Sequence, residues 1–392
     1  MIRRPMMLIF VVAAGVFSQT ATESRDLQAA GSTMQGTPFS TTVVASGLDT
    51  PWDLVWGPDG MIWFSERGGR ISRLNPATGA HSVAGTIDVA QTGEGGLMGI
   101  AFHPDFPREP YLYAMHTYGS MFRVHNRLVR MRWDGRALGA PQVLLDGIPG
   151  AGIHNGSRIV VGPDRMLYIT MGDAGSSGVA QDRAALGGKI LRLTLDGRPA
   201  AGNPFGNATW SFGHRNPQGL VFHPATGVLY ETEHGPSDND EVNIIRRGAN
   251  YGWPEVHGMC DDDAGNERDF CRRASVVEPL AVWTPTIAIT GADFYLSDRI
   301  PGWRGSLLAT SLKAGMFRFT LSADGSRIVS QEQLLARRFG RLRDVLVAPN
   351  GDVYIATSNR DGRGSPSRDD DRIIRLSGTG SSLPMQRPTR LR

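Results

Sequence analysis

The chain has 392 residues, 40% of them hydrophobic and 20% charged, and a formal net charge of +3. These values describe a globular protein with ample length for one large core or two ordinary ones, so length leaves the domain count open. So small and dispersed a positive excess excludes the basic footprint of a nucleic-acid-binding protein.

At the N-terminus, Arg3 and Arg4 precede an apolar run from Met6 to Phe17, and Ser18, Gln19 and Thr20 follow it. Residues 1–20 have the pattern of a secretory signal peptide, the run being too short to span a bilayer comfortably; the alternative is an uncleaved anchor. No Cys follows the run, which argues against a lipoprotein anchor. Residues 21–38 are polar and small, as in a disordered leader. Residues 379–392 are expected to form a flexible tail. The expected location is periplasmic or secreted, as a monomer or homodimer without stable membrane insertion.

From there one pattern recurs: a short apolar strand, a turn containing Pro with Asp, Asn or Gly, and a second strand rich in Tyr, Val, Ile or Trp. The copies are LVWGPDGMIWFSE (54–66), IAFHPDFPREPYLYAMH (100–116), IVVGPDRMLYITMGD (159–173), LVFHPATGVLYETEHG (220–235), the looser ADFYLSDRIPGWRGSLLATSLKAG (292–315) and VLVAPNGDVYIATSNRDG (345–362). Most are followed by a third strand in which apolar residues alternate with Arg, as in RISRLNP from Arg70 and KILRLTLDG from Lys189. Period-two alternation marks half-buried strands, and no segment shows a sustained helical period. An internal repeat of short strands predicts an all-β, six-bladed β-propeller over residues 39–378, in which stacking of blades buries what one blade cannot. A β-sandwich with coincidental turns is the alternative; the same Pro-containing turn between the same two strands argues against it.

Cys260 and Cys271 are the only cysteines, and in an exported chain their closeness predicts one local disulfide. Of the 41 basic residues only Lys189 and Lys313 are lysines. Codon bias would explain the excess of Arg, but a surviving Lys also marks a place where a compact ammonium is needed.

The loops at one end of the repeats carry the polar residues. His154 stands before the first strand of the third copy and Asp173 after its second, so a hairpin returns them to the same end. This permits a partnership in which the carboxylate orients the imidazole and raises its basicity, although the spacing also suits an ordinary surface histidine. Glu94 lies in the Gly-rich loop before the second copy, Arg215 and Asn216 precede the fourth, Lys313 follows the fifth, and Arg341 and Arg343 precede the sixth. Facing one way, these would gather three arginines and a lysine, an environment for a ligand with several carboxylates or phosphates. The loop from Gly235 to Glu241 offers carbonyls and carboxylates, the hard donors that calcium takes, without EF-hand spacing.

GEGGLMGIAFHPDF (93–106), HNGSRIVVGPDRMLYITMGD (154–173), GHRNPQGL (213–220), EHGPSDNDEVNIIRRGANYGWP (233–254), SLKAG (311–315) and GRLRDV (340–345) occur in the order found in the soluble pyrroloquinoline quinone (PQQ)-dependent glucose and aldose sugar dehydrogenases. The chain resembles that family from about Gly47 to Leu376. The resemblance implies a six-bladed propeller that oxidises an aldose at C1 to a lactone, with His154 as general base, Asp173 orienting it, and hydride passing to C5 of the quinone. It implies that Glu94, Arg215, Asn216, Lys313, Arg341 and Arg343 contact PQQ, that the carbonyls of Gly235 and Pro236 bind the calcium bridging protein and cofactor, and that Glu241 and the main chain of Tyr251 hold a structural calcium. An aldose substrate and an external electron acceptor are the implied partners.

Two departures stand out. Glu94 replaces a Gln of the best-known members, and a second carboxylate there would weaken binding of an anionic cofactor or raise the basicity of the neighbouring base. The segment from Tyr251 to Arg273, with its cysteine pair, is elaborated and expected to rim the pocket. Two other readings of the propeller remain open: a calcium-dependent hydrolase of lactonase type, and a non-catalytic glycan-binding module.

Overall fold

The computed structural model describes residues 39–120 and 123–379. The expected signal peptide, leader and all of the tail beyond Thr379 lie outside these residues. No helix among the described residues is long and apolar enough to cross a membrane.

Six four-stranded antiparallel sheets follow one another along the chain. Blade 1 consists of Pro51–Trp56, Ile62–Glu66, Arg70–Leu74 and His81–Thr86. The first strands of blades 2 to 6 are Leu97–Phe102, Ile159–Val161, Pro217–Phe222, Ile289–Tyr295 and Leu342–Val347, and those of successive blades touch one another around a ring. Each of the six sequence repeats forms the first two strands of one blade, so the expected propeller is the observed one. The ring is closed by Phe39–Ala45, which pairs antiparallel with Ile373–Gly378 and completes blade 6 from the other end of the chain.

Between blades the apolar faces interlock. Tyr113, Met115 and Leu128 of blade 2, for instance, pack against Ile159, Leu167, Ile169 and Leu191 of blade 3. The outermost strands, such as His81–Thr86 and Ile328–Leu334, are mostly exposed and carry little alternation, which is why the repeat pattern misses them. Two further departures lie in blade 4. The loop expected from Gly235 to Glu241 ends earlier, because Asp240 and Glu241 open the strand Asp240–Ile245. Glu267–Ala274 forms a short helix whose sequence ERDFCRRA has no apolar repeat to announce it. The expected disulfide between Cys260 and Cys271 is formed and ties this helix to the preceding turn.

At the axis, carboxylates stitch first strands together. Asp53 Oδ2 accepts the Ile100 N–H (2.8 Å), Asp293 Oδ2 the Val347 N–H (2.7 Å) and Asp344 Oδ2 the Leu54 N–H (2.7 Å), each joining one blade to the next. Arg158 lies among them: its Nη1 pairs with Asp53, its Nη2 lies 3.0 Å from Asp344 Oδ1, and its Nε donates to the Gln218 carbonyl at 3.1 Å. Burial pushes Asp53 up to about 8 and raises Asp344, against the pull of Arg158 on both. One guanidinium thus faces two buried carboxylates whose ionised forms burial disfavours.

Lys189 is fully buried, and its ammonium donates to the carbonyls of Val179 (2.7 Å), Ala180 (3.0 Å) and Gly187 (2.7 Å), holding the loop beneath Gly172. The compact ammonium expected from the lysine count is therefore a structural plug here. Burial pushes its pKa down to about 7 from an ordinary 10.5.

Arg158→Met strands both carboxylates and is expected to lower unfolding free energy by roughly 3–5 kcal/mol in urea titrations, whereas Asp53→Asn, which leaves Arg158 paired with Asp344, costs less. Because the unfolded chain binds the Lys189 proton more readily, stability gains up to about 1.4 kcal/mol per pH unit between roughly pH 7 and 10 from this group. Lys189→Met should remove that slope, and a variant with the wild-type pH dependence would refute the burial effect. Breaking the disulfide with Cys260→Ser and Cys271→Ser should cost roughly 2–3 kcal/mol, the loop-closure entropy of so short a loop, in the same measurement.

Candidate active site

Segments before first strands and after second strands meet at one end of the ring around a cavity of about 440 Å³. His154, Glu94, Arg215, Asn216, Lys313, Arg341, Arg343, Gly235 and Pro236 all line it. Of the residues singled out in the sequence, Asp173 stands one contact behind the wall, and Glu241 and Tyr251 lie beside a separate small cavity.

His154 Nδ1 lies 2.7 Å from Asp173 Oδ1, so the pair anticipated from the hairpin is formed. Asp173 is buried, and its oxygens also accept the Gly175 N–H (2.7 Å) and the Trp253 indole N–H (2.9 Å). With its carboxylate ionised, Nδ1 of the imidazole carries the proton and Nε2 is left as the acceptor. His154 itself sits in the left-handed region at φ 56°, and its carbonyl accepts the Ala174 N–H at 3.1 Å. A Cβ built on Gly172 would fall on that carbonyl oxygen, so only glycine permits the approach of the two loops.

The cations differ in how they are engaged. Arg341 is already paired through Nη2 and Nε with Asp361 (2.7 and 2.8 Å). Arg343 donates to Gln218 Oε1 (2.9 Å) and Lys313 to Thr286 Oγ1 (2.6 Å), neither to a carboxylate. Arg215 donates to the His234 carbonyl (3.1 Å) and lies 5.2 Å over the Trp253 ring. The buried Nε atoms of Arg215 and Arg343 have no partner among the described residues. Burial pushes Arg343 down to about 10, and His234, buried near Arg343 and Arg215, is held well below the usual histidine range and so neutral. Asn216 Oδ1 accepts the Gln218 amide (2.9 Å) and the Gly156 N–H (3.2 Å), while the Asn216 main chain is held by Glu233.

Glu94 does not enter the cavity as a free charge. Its Oε1 pairs with Arg363 of the loop after the second strand of blade 6 (2.8 Å), and its Oε2 accepts the His154 N–H (3.0 Å). The carboxylate is thereby offset and fixes the main chain of the histidine. In all, six cations and three carboxylates line the cavity, an excess of three positive charges.

The carbonyls of Gly235 and Pro236 accept no hydrogen bond among the described residues, and the Gly235 N–H is held by Asp240 Oδ1 (2.9 Å). Behind them a cavity of about 10 Å³, room for one ion or water, is lined by Glu233, Glu241 and Tyr251 among others. Glu231, Glu233 and Glu241 face one side of blade 4, and burial together with Glu233 pushes Glu241 up to about 8. His214 lies within reach of this group, but both its ring nitrogens are engaged, by Glu233 Oε2 and Ser211 Oγ (each 2.9 Å). The donors fitting a cation here are carboxylates and carbonyls.

The elaborated segment does not rim the main cavity: no residue from 251 to 273 lines it. It reaches the site through Trp253, which touches both Asp173 and Arg215. Trp253, His234, Arg67 and Arg363 were not anticipated. Blade equivalence could have found two of them, since Arg67 and His234 directly follow second strands, as Asp173 and Lys313 nearly do.

The blade ends of the propeller thus gather a His–Asp pair, guanidiniums of which Arg215 and Arg343 have no carboxylate partner among the described residues, and two carbonyls that accept no hydrogen bond among those residues around one cavity. The Glucose / Sorbosone dehydrogenase family pattern matches residues 48–374, and the chain belongs to that family. It is 32% identical to quinoprotein glucose dehydrogenase B of Acinetobacter calcoaceticus, over 88% of this chain and 90% of the relative. It is 30% identical to aldose sugar dehydrogenase YliI of Escherichia coli, over 82% of this chain and 90% of the relative. Among solved structures, the PQQ-bound aldose sugar dehydrogenase of Streptomyces coelicolor superposes with a TM-score of 0.75 at 38% identity, covering 87% of this chain and 99% of that one.

Gly172→Ala pushes the His154 and Asp173 loops apart and should lower sugar-dependent dye reduction by on the order of a hundredfold. Circular dichroism should show the fold retained; wild-type turnover would show that the approach of the loops is immaterial.

Proposed function

We propose that the protein is an exported, PQQ- and calcium-dependent dehydrogenase that oxidises aldoses at C1 to lactones and passes electrons to an external acceptor. The observation that carries this reading is the cavity itself, which an imidazole backed by a buried carboxylate shares with the guanidiniums of Arg215 and Arg343, neither paired with a carboxylate among the described residues. The excess of three positive charges suits a cofactor with three carboxylates.

Arg215, Arg343, Lys313 and the amide of Asn216 would hold the cofactor, with Arg341 sharing its guanidinium between Asp361 and the ligand. The carbonyls of Gly235 and Pro236 would hold a calcium ion, which would supply Lewis acidity there. Bound PQQ supplies a quinone that accepts the hydride from the sugar. His154 Nε2 takes the proton of the C1 hydroxyl, Nδ1–H remains bonded to Asp173, and the imidazolium formed is stabilised by that carboxylate. Asp173 in turn is kept in line by the indole of Trp253 and the Gly175 N–H. Arg215 would stabilise negative charge developing on oxygen. Glu241 and the Tyr251 carbonyl would hold a second, structural calcium, relieving the repulsion among the three buried glutamates.

Reconstitution with PQQ and calcium, followed by dye reduction with a panel of aldoses, tests the reading. Wild type should turn over at least one aldose and His154→Ala should lose on the order of 10²–10⁴-fold; an inert wild type or a fully active variant would overturn it. The mainly cationic lining speaks against a calcium-dependent hydrolase, and lactone hydrolysis with calcium alone would restore that alternative. Chelation should lower the melting temperature by roughly 2–4 °C and calcium should restore it, as expected when an ion binds only the folded state.

A further inference from the structure

We propose that Arg67 is a binding residue for a carboxylate of the quinone cofactor, the share of blade 1 in a bed otherwise drawn from blades 4, 5 and 6. The inference rests on the PQQ reading above and adds a residue to it.

Arg67 directly follows the strand Ile62–Glu66, at the end of the blade where Lys313 stands in blade 5. It is 8% exposed and lines the cavity. Its main chain is fixed on both sides, the N–H donating to the Thr50 carbonyl (3.1 Å) and the carbonyl accepting the Leu97 N–H (3.0 Å). Its stem runs over Gly96, where an added Cβ would lie 3.0 Å from Arg67 Cγ. The guanidinium is thus directed by its surroundings, yet it makes no hydrogen bond or ion pair with any described residue, and its Nε is buried without a partner.

The carboxylates near enough to influence it are Asp361, Asp49 and Glu94. Asp361 is taken by Arg341, Glu94 by Arg363 and the His154 N–H, and Asp49 forms no ion pair with Arg67. Arg341 and Arg343 stand on the same side, and both Arg67 and Arg341 press on the charge of Arg343. Three guanidiniums crowd here around an imperfect set of carboxylates, an arrangement that a bound anion relieves. An aldose is neutral and cannot do so, whereas a carboxylate offers the guanidinium a bidentate partner.

The test is a PQQ titration of the calcium-loaded apoprotein, followed by the change in cofactor absorbance, for wild type, Arg67→Gln and Arg67→Lys. The Kd of Arg67→Gln should rise on the order of tenfold or more, with a weaker dependence on salt. Arg67→Lys keeps the charge but loses the planar fork and should rise about threefold or more, which keeps the test open should the Gln variant fail to fold. Wild-type PQQ affinity in either folded variant overturns the proposal. So does a raised sugar KM with unchanged PQQ affinity, which would assign Arg67 to the substrate. Failure of wild type to bind PQQ would instead overturn the cofactor reading itself.

Discussion

The propeller depends on the guanidinium of Arg158 at its axis. From blade 3 it reaches Asp53 of blade 1, Asp344 of blade 6 and the carbonyl of Gln218 in blade 4, with the Trp52 ring 4.6 Å away. No blade has a core of its own large enough to stand alone; the sheets need neighbours, and the first strands must converge without leaving polar backbone unpaired. Carboxylates that accept N–H groups across blades meet that need, and Arg158 offsets the charge they bring. Removing a buried charge from such a set is costly because its partners remain in a medium of low polarity.

The same strands then rise into the cavity. Arg158 follows His154 by four residues, Arg343 precedes Asp344, and Gln218 both supports Arg158 through its carbonyl and receives Arg343 through its side chain. Two layers of arginine therefore lie one above the other on common strands. In the lower one the charge is matched by aspartates and the residue is structural. In the upper one Arg343 has only an amide partner for its hydrogen bonds among the described residues, and charge is left for a ligand. Between Arg158 and Arg343 the difference is the carboxylate partner, which Arg158 has and Arg343 lacks among the described residues.

Several of these features were legible in the sequence. Turn chemistry and period-two alternation gave six hairpins, and the hairpin ends located His154 and Asp173 on the same side because a two-stranded return is local geometry. Lys189 and Lys313 were both marked by their rarity, yet one plugs a ring of carbonyls while the other lines the cavity. Exposed outer strands and the helix Glu267–Ala274 carried no such pattern. Arg67 was hidden because it falls one residue past its repeat copy, although its place at the end of a second strand was available to an argument from blade equivalence. Asp53, Asp293 and Asp344 stand at one position of their repeats, five residues before the turn in LVWGP-type copies, a regularity whose purpose emerges only with neighbouring blades in place.

What the sequence by itself determined was therefore the set of blades, their number, and which chain ends carry polar chemistry, since alternation and turns are set by residues close along the chain. What only the tertiary structure decided was the pairing of charges: Arg341 with Asp361, Glu94 with Arg363, Arg158 with Asp53, and Trp253 with Asp173. Glu94 and Arg363 are 269 positions apart and Phe39 pairs with Gly378. Such contacts follow from closing a ring, and a charge is spent or spare according to what that closure brings beside it.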